Sequence, residues 1–66
     1  MNVVVNGEAH EFDAGTTVEV LVHDLGRGPK GIAVAVNEEV VPRSTWSGAV
    51  LQAGDRVEVL VASQGG

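Results

Sequence analysis

The chain has 66 residues, which leaves room for one small domain and no second one. It contains no cysteine, and this excludes a disulfide framework, a thiolate metal site and a cysteine nucleophile. Nine acidic residues against four basic ones give a formal net charge of −5, which opposes nucleic-acid binding and favours a protein partner with basic patches. The sequence opens without a basic segment or a long apolar run, so we expect a soluble, cytoplasmic protein with no membrane partner.

The first predicted element is a β-hairpin. Asn6-Gly7 separates two strand-like runs, residues 3–5 and 8–12, and this dipeptide favours the positive φ angles of a type I′ turn. A two-residue loop determines which strand residues face each other. The side chains that this register turns toward the core are Val3, Val5, His10 and Phe12.

A helix is predicted after the hairpin. Thr16 and Glu19 have the spacing of a capping box, in which side chains bond the free N–H groups of the first turn. Gly26 is placed to end the helix in a left-handed conformation. An apolar stripe with helical spacing predicts that the helix packs on a sheet; its members are Val18, Leu21, Val22 and Leu25.

Three further strands are predicted in the second half of the chain. Residues 32–36 are apolar on both faces, as in the interior of a sheet. Residues 40–41 form a short edge strand, because Pro42 cannot donate to a ladder. A turn at residues 54–55 leads into the last strand, residues 56–61. The buried anchors expected in the irregular segment before that turn are Trp46, Val50 and Leu51.

This order of elements predicts an α+β domain, a mixed sheet with one main helix packed on one face. The first and last strands can lie parallel at the centre of the sheet, joined through a right-handed crossover. Such an arrangement is the ubiquitin-like β-grasp fold. We expect the domain to span residues 1–62 and residues 63–66 to form a flexible tail, because this last segment has no apolar side chain to hold it in a core.

The predicted tail ends on Gly65-Gly66. Residues 62–66 would span about 16–18 Å when extended, long enough to enter another protein's active site. Neither glycine carries a Cβ, so a narrow channel could admit the backbone and a nucleophile could approach the terminal carbonyl. The alternative is a chain end that is glycine by chance.

No constellation of residues indicates chemistry of the chain's own. Residues 26–31 match G-x-G-x-x-G, but they follow a helix and precede a strand, the reverse of a dinucleotide-binding loop. His10 and His23 lack a convincing set of partners for a metal site or a catalytic base, and the best metal candidate is His10 among Glu8, Glu11 and Asp13. We therefore expect no bound metal or cofactor, and a protein that is not an enzyme.

The face of the sheet opposite the helix is the predicted partner-binding surface. Strand alternation places Leu60 on this face together with Glu58 and Arg56, and Val4 and Ala35 fall on the same side. We expect Val4, Ala35 and Leu60 to form an apolar patch ringed by charge, as in a docking surface for another protein.

Two motifs and the chain end indicate a family. Residues 37–46 are N-x-x-V-V-P-R-x-x-W, residues 51–55 are L-x-x-G-D, and the chain ends in Gly-Gly. The first motif is the most specific, and the other two features recur across ubiquitin-like sulfur carriers. Over essentially its whole length, the chain resembles the ThiS family, the bacterial sulfur carriers of thiamine biosynthesis.

This resemblance implies a mechanism. An E1-like, ThiF-like adenylyltransferase would use ATP to convert the Gly66 carboxylate into an acyl adenylate. Sulfur from a persulfide donor would displace AMP and leave a thiocarboxylate, which donates its sulfur to a ThiG-like thiazole synthase. Gly66 would carry the reacting atom and Gly65 would give clearance, with Gln64 counted among the partner-binding residues.

Three other interpretations stay open at the level of sequence. The small subunit of molybdopterin synthase also ends in Gly-Gly, but it is usually longer and stays bound to a larger subunit. A ubiquitin-like modifier would be joined to lysines of other proteins, and Lys30 is the only lysine here on which chains could be built. A β-grasp interaction module with an inert tail would keep its activity without Gly65 and Gly66.

Overall fold

The computed structural model describes residues 1–26 and 30–61. Within these residues the elements in chain order are β1 (Asn2–Val5), β2 (Glu8–Glu11), α1 (Val18–Asp24), β3 (Ile32–Val36), β4 (Glu39–Val40), a 3-10 helix (Arg43–Gly48) and β5 (Arg56–Val61). The predicted tail lies outside the described residues, as does part of the 26–31 segment.

The five described strands form one mixed sheet in the order β2-β1-β5-β3-β4. β1 and β5 run parallel, and the pairs β1–β2, β3–β5 and β3–β4 are antiparallel. The predicted β-grasp arrangement is confirmed. Since β5 lies in the middle, neighbours on both sides bond the strand that leads toward the end of the chain.

The hairpin forms as predicted. Asn6 and Gly7 have φ angles of +50° and +84°, and the register sets Val3 opposite His10. Val3 is fully buried, while His10 is half-buried with its ring 6.2 Å from that of Phe12. The Asn-Gly turn alone was sufficient to predict this register, because a two-residue loop leaves no freedom to slip.

The start of α1 differs from the prediction by one residue. Thr17 is the N-cap, and its hydroxyl accepts a hydrogen bond from the Val20 N–H over 3.3 Å. The hydroxyl of Thr16 instead donates to the Asp13 carbonyl over 2.7 Å, and the Thr16 side chain is buried. The predicted Thr16–Glu19 capping box is therefore wrong, because the loop before the helix already uses Thr16.

The core lies between α1 and the inner face of the sheet. The predicted helical stripe is buried at three positions and packs partly against the core at Leu25, and Gly26 has the expected positive φ of +75°. The buried residues of the core are Val3, Val5, Val18, Leu21, Val22, Val34, Trp46, Leu51, Val57 and Val59.

The predicted edge strand is shifted by one residue, since β4 is Glu39–Val40. The segment between β4 and β5 contains a further departure from the prediction. Trp46 and Leu51 are buried anchors, as expected, whereas the side chain of Val50 is 53% exposed. Val50 pairs with Thr17 in an isolated antiparallel bridge, so its backbone takes part in the fold while its side chain points to solvent.

Membrane-spanning helices were sought in the part of the chain that the structure describes, and none of its helices has the length and apolar character for a span.

Candidate functional site

The candidate site is built around β5, the central strand. On one side it is bonded by β1 and by the turn after β1. The Val4 N–H donates to the carbonyl of Asp55, the residue just before β5, and the Asn6 N–H donates to the Val57 carbonyl, both over 2.9 Å. On the other side, β5 pairs with β3 from Val57 opposite Val36 to Val61 opposite Ile32. Whatever follows β5 in the chain therefore extends from a strand with two partners.

The side chain of Asn6 continues the bonding of β5 beyond the end of β1. Its Nδ2 donates to the Val59 carbonyl over 3.1 Å, and its Oδ1 accepts from the Val59 N–H over 2.8 Å. The amide thus takes the place of one more residue of β1. Sequence reasoning assigned Asn6 only to a turn, since a contact across 53 residues leaves no local signal.

Asn37 bonds β5 from the opposite side. This residue has a φ of +52°, its N–H donates to the Arg56 carbonyl over 2.7 Å, and its Oδ1 accepts from the Arg56 N–H over 3.0 Å. Its Nδ2 donates to Oδ1 of Asp55 over 3.0 Å. Asn37 opens the first sequence motif and Asp55 closes the second, so the fold joins the two motifs at the start of β5.

The remainder of the first motif holds the 3-10 helix against the core. Pro42 precedes this helix, and its carbonyl accepts from the hydroxyl of Thr45 over 2.8 Å. Trp46 is buried, and its Nε1–H donates to the Val41 carbonyl over 2.8 Å. These contacts give this part of the motif a structural role.

The outer face of the sheet, opposite α1, carries the predicted partner-binding side chains. Leu60 is 61% exposed and pairs with Ala33, while Ala35 lies between Val40 and Glu58 in the next row. These apolar side chains lie in adjacent rows on one face. The outer-face patch consists of Ala33, Ala35, Val40 and Leu60.

Val4 lies on the same face but apart from this patch. It is half-buried and pairs with Arg56, four residues before Leu60 along β5. Four residues of strand correspond to about 13 Å, and the side chain of Glu58 lies between. The sequence analysis placed Val4 too close to Leu60 and missed Ala33 and Val40, because the relative register of β1, β3 and β5 is not a local property.

The other candidate residues have ordinary surroundings or are not described. The imidazole Nε2 of His10 is 3.7 Å from the Glu8 carboxylate, and His23 is exposed in the last turn of α1. Within residues 1–26 and 30–61, no three His, Asp or Glu side chains are grouped so as to hold a metal ion. Gln64, Gly65 and Gly66 fall outside the described residues.

Comparison with known proteins decides the family. The model of the ThiS family matches residues 3–66, and the match includes both motifs, β5 and the two terminal glycines. The chain belongs to the ThiS family. The resemblance inferred from the motifs is thereby confirmed.

Two relatives named ThiS have about the same length as this chain. It is 33% identical to the sulfur carrier protein ThiS of Escherichia coli strain K12, with all of both chains covered. It is 39% identical to the sulfur carrier protein ThiS of Thermus thermophilus, over 97% of this chain and 98% of the relative. A crystal structure of the thiamine biosynthesis protein ThiS from Geobacter metallireducens superposes with a TM-score of 0.84 at 30% identity and complete coverage of both chains.

A second kind of relative is much longer. The chain is 44% identical to a thiazole synthase of Magnetococcus marinus and 38% identical to one of Paramagnetospirillum magneticum. It spans 20% of the length of each of these relatives. A ThiS-like segment therefore also occurs within larger proteins that carry the name of thiazole synthase.

Proposed function

We propose that this chain is a sulfur carrier of thiamine biosynthesis and that the Gly66 carboxylate is the group that carries sulfur. The observation on which this rests is the ThiS family match over residues 3–66, which extends through Gly65 and Gly66. The two relatives of similar length are themselves named sulfur carrier proteins, which supports the same role here.

The proposed chemistry begins with activation of an unreactive group. A carboxylate oxygen of Gly66 attacks the α-phosphorus of ATP on an E1-like adenylyltransferase, and pyrophosphate leaves. The outer sulfur of a persulfide donor then attacks the acyl adenylate and displaces AMP. A thiol cleaves the resulting acyl disulfide, which leaves a thiocarboxylate on Gly66 and a disulfide as the oxidised product.

The carrier supplies the reacting atom and its partners supply the catalytic groups. This chain has no cysteine on which sulfur could be held as a persulfide, which agrees with the terminal carbonyl as the carrying atom. Gly65 gives the partner access to that carbonyl because it adds no side chain. ATP is consumed by the activating partner, and the carrier itself is proposed to be neither an enzyme nor a cofactor-binding protein.

The fold supports this division of labour. Strand β5, which precedes the proposed reacting end, is bonded on one side by β1 and Asn6 and on the other by β3 and Asn37. A rigid central strand fixes the point from which the following segment extends, which favours entry of that segment into a partner's active site.

We propose that the adenylyltransferase docks on the outer-face patch and also contacts Val4 and Gln64. Leu60 is 61% and Val40 73% exposed, a large exposure for apolar side chains on one face of a small domain. The charge of −5 favours a partner with a basic rim, since opposite charges raise the rate of encounter.

The partner that receives the sulfur is proposed to be a thiazole synthase. Two thiazole synthases contain a segment 38–44% identical to the whole of this chain. A carrier and its acceptor enzyme that occur within one protein are expected to act in succession, since covalent linkage raises their effective concentration.

The test is the intact mass of the protein. The native protein is first isolated from its own cells, to establish that its chain ends at Gly66. It is then incubated with the adenylyltransferase, ATP and a persulfide donor, with a variant lacking Gly66 as the control. We expect the mass gain of one sulfur for one oxygen in the full chain and none in the control.

Three outcomes would contradict the proposal. One is an unchanged mass when the same enzyme preparation converts another carrier. Another is a stable isopeptide adduct between Gly66 and lysines of cellular proteins in place of the thiocarboxylate, which would favour a protein modifier. Stable co-purification with a larger molybdopterin synthase subunit would instead favour the small-subunit interpretation.

A further inference from the structure

The Asn6-Gly7 dipeptide that forms the turn can also undergo a chemical reaction at the asparagine side chain. In an asparagine followed by glycine, the glycine nitrogen can attack the side-chain amide carbon, because no Cβ obstructs the approach. A nitrogen–carbon bond forms, and ammonia leaves as the five-membered succinimide closes. Water then opens the ring to aspartate or isoaspartate, which is one reason why asparagine is a thermolabile residue.

We propose that Asn6 is a deamidation site and that its hydrogen bonds to Val59 control the rate. Asn6 and Gly7 are both exposed, so water reaches the turn. The amide that must react is held by the Val59 backbone through bonds of 3.1 and 2.8 Å. The side-chain amide of Asn6 must turn away from Val59 and toward the backbone nitrogen of Gly7. Both hydrogen bonds to Val59 therefore break before the ring closes.

The product no longer matches its partner in β5. A carboxylate at position 6 still accepts from the Val59 N–H, but it cannot donate to the Val59 carbonyl and places a negative oxygen against it. Isoaspartate also lengthens the backbone of the turn by one atom, which conflicts with the two-residue register of the hairpin. Deamidation therefore weakens the support that Asn6 gives to the second half of β5.

The surroundings of Asn6 make a new charge unfavourable. A recess of about 190 Å³ lies beside Asn6. Among the described residues, the titratable side chains that line it are Glu8 and His10 of β2. The Glu8 carboxylate repels a second carboxylate beside it. The new charge is thus expected to destabilise the deamidated turn.

The first test follows deamidation in the full chain by peptide mass mapping, in the folded state and in denaturing urea. Asn2 before Val3 and Asn37 before Glu38 serve as internal controls, because a side chain on the next residue obstructs the attack. We expect deamidation to be fastest at Asn6 in urea and about ten-fold or more slower there in the folded protein, where opening limits it. Equal rates at Asn6 in the two states, or no excess over Asn37 in urea, would overturn the proposal.

The second test uses Asn6→Asp as the product of the reaction. The Val59 carbonyl oxygen and the Glu8 carboxylate beside position 6 disfavour the charged carboxylate, so its pKa in the folded variant lies above the unfolded value of about 4. The protonated acid can donate again, and this stabilisation is lost as the pH rises through the folded pKa. We expect the variant to unfold at lower urea than the parent chain at neutral pH and the difference to narrow in acid. A variant as stable as the parent at neutral pH would contradict the proposed role of the amide.

Discussion

The indole Nε1–H of Trp46 donates to the main-chain carbonyl of Val41 over 2.8 Å, and this bond joins the 3-10 helix to the segment just after the edge strand β4. The indole is buried in the same place, so one side chain both fills the core and satisfies a carbonyl. The tryptophan at the end of the N-x-x-V-V-P-R-x-x-W motif is therefore explained by its shape and its single donor.

Replacing Trp46 by phenylalanine removes the N–H donor and also part of the buried ring. The ring stays apolar but loses its donor, which leaves the Val41 carbonyl without this partner, so we expect unfolding to require about 1–3 kcal/mol less free energy. Urea denaturation followed by far-ultraviolet circular dichroism measures the change. Ser47→Ala, at an exposed position of the same helix, is the control and should stay within about 0.5 kcal/mol of the parent. Equal effects of the two substitutions would show that the indole bond contributes nothing.

The cap of α1 provides a second prediction. Thr17 accepts from the Val20 N–H, so Thr17→Ala should lower the free energy of unfolding by about 1 kcal/mol. Glu19→Ala should change it by less than about 0.5 kcal/mol, because no capping box forms. Thermal or urea denaturation of both variants checks this. A larger loss from Glu19→Ala than from Thr17→Ala would restore the capping box that the sequence predicted.

The outer-face patch can be tested apart from the fold. Leu60 is exposed, so we expect Leu60→Asp to keep the folded structure, with at most about 1 kcal/mol lost because aspartate fits poorly in a strand. Affinity for the proposed adenylyltransferase partner should fall at least ten-fold, as expected for about 1.4 kcal/mol or more of lost apolar contact and added charge. Affinity is measured by calorimetry, and the fold is checked by circular dichroism.

The matched control for that experiment is Val20→Asp. Val20 is also an exposed apolar residue, 45% accessible, but it lies on α1 and thus away from the patch. Its replacement should leave the affinity unchanged, and an acid in the first turn of a helix is favourable. If both substitutions weaken binding equally, general charge repulsion and not the patch explains the loss.

The clearance proposed for Gly65 leads to a fourth prediction. Gly65→Val should slow thiocarboxylate formation on Gly66, because a β-branched side chain narrows the approach to the terminal carbonyl and restricts the backbone. The urea midpoint should stay within experimental error of the parent value. Formation is followed by intact mass at several times, with the parent chain alongside. Conversion at the parent rate would remove the clearance argument for Gly65.

Local sequence signals alone determined much of this protein. The Asn6-Gly7 turn set the register of the first hairpin, the helical spacing identified the buried side of α1, and the motifs over residues 37–46 and 51–55 indicated the family. Each of these rests on residues close together in the chain, where turn geometry and periodicity act directly.

Only the tertiary structure decided the rest. It placed Asn6 against Val59, gave the helix cap to Thr17 by engaging Thr16 elsewhere, and turned Val50 toward solvent. It also moved Val4 away from Leu60 on the outer face. The Thr16–Asp13 bond is local, but the other outcomes depend on how strands and helix from distant parts of the chain pack together.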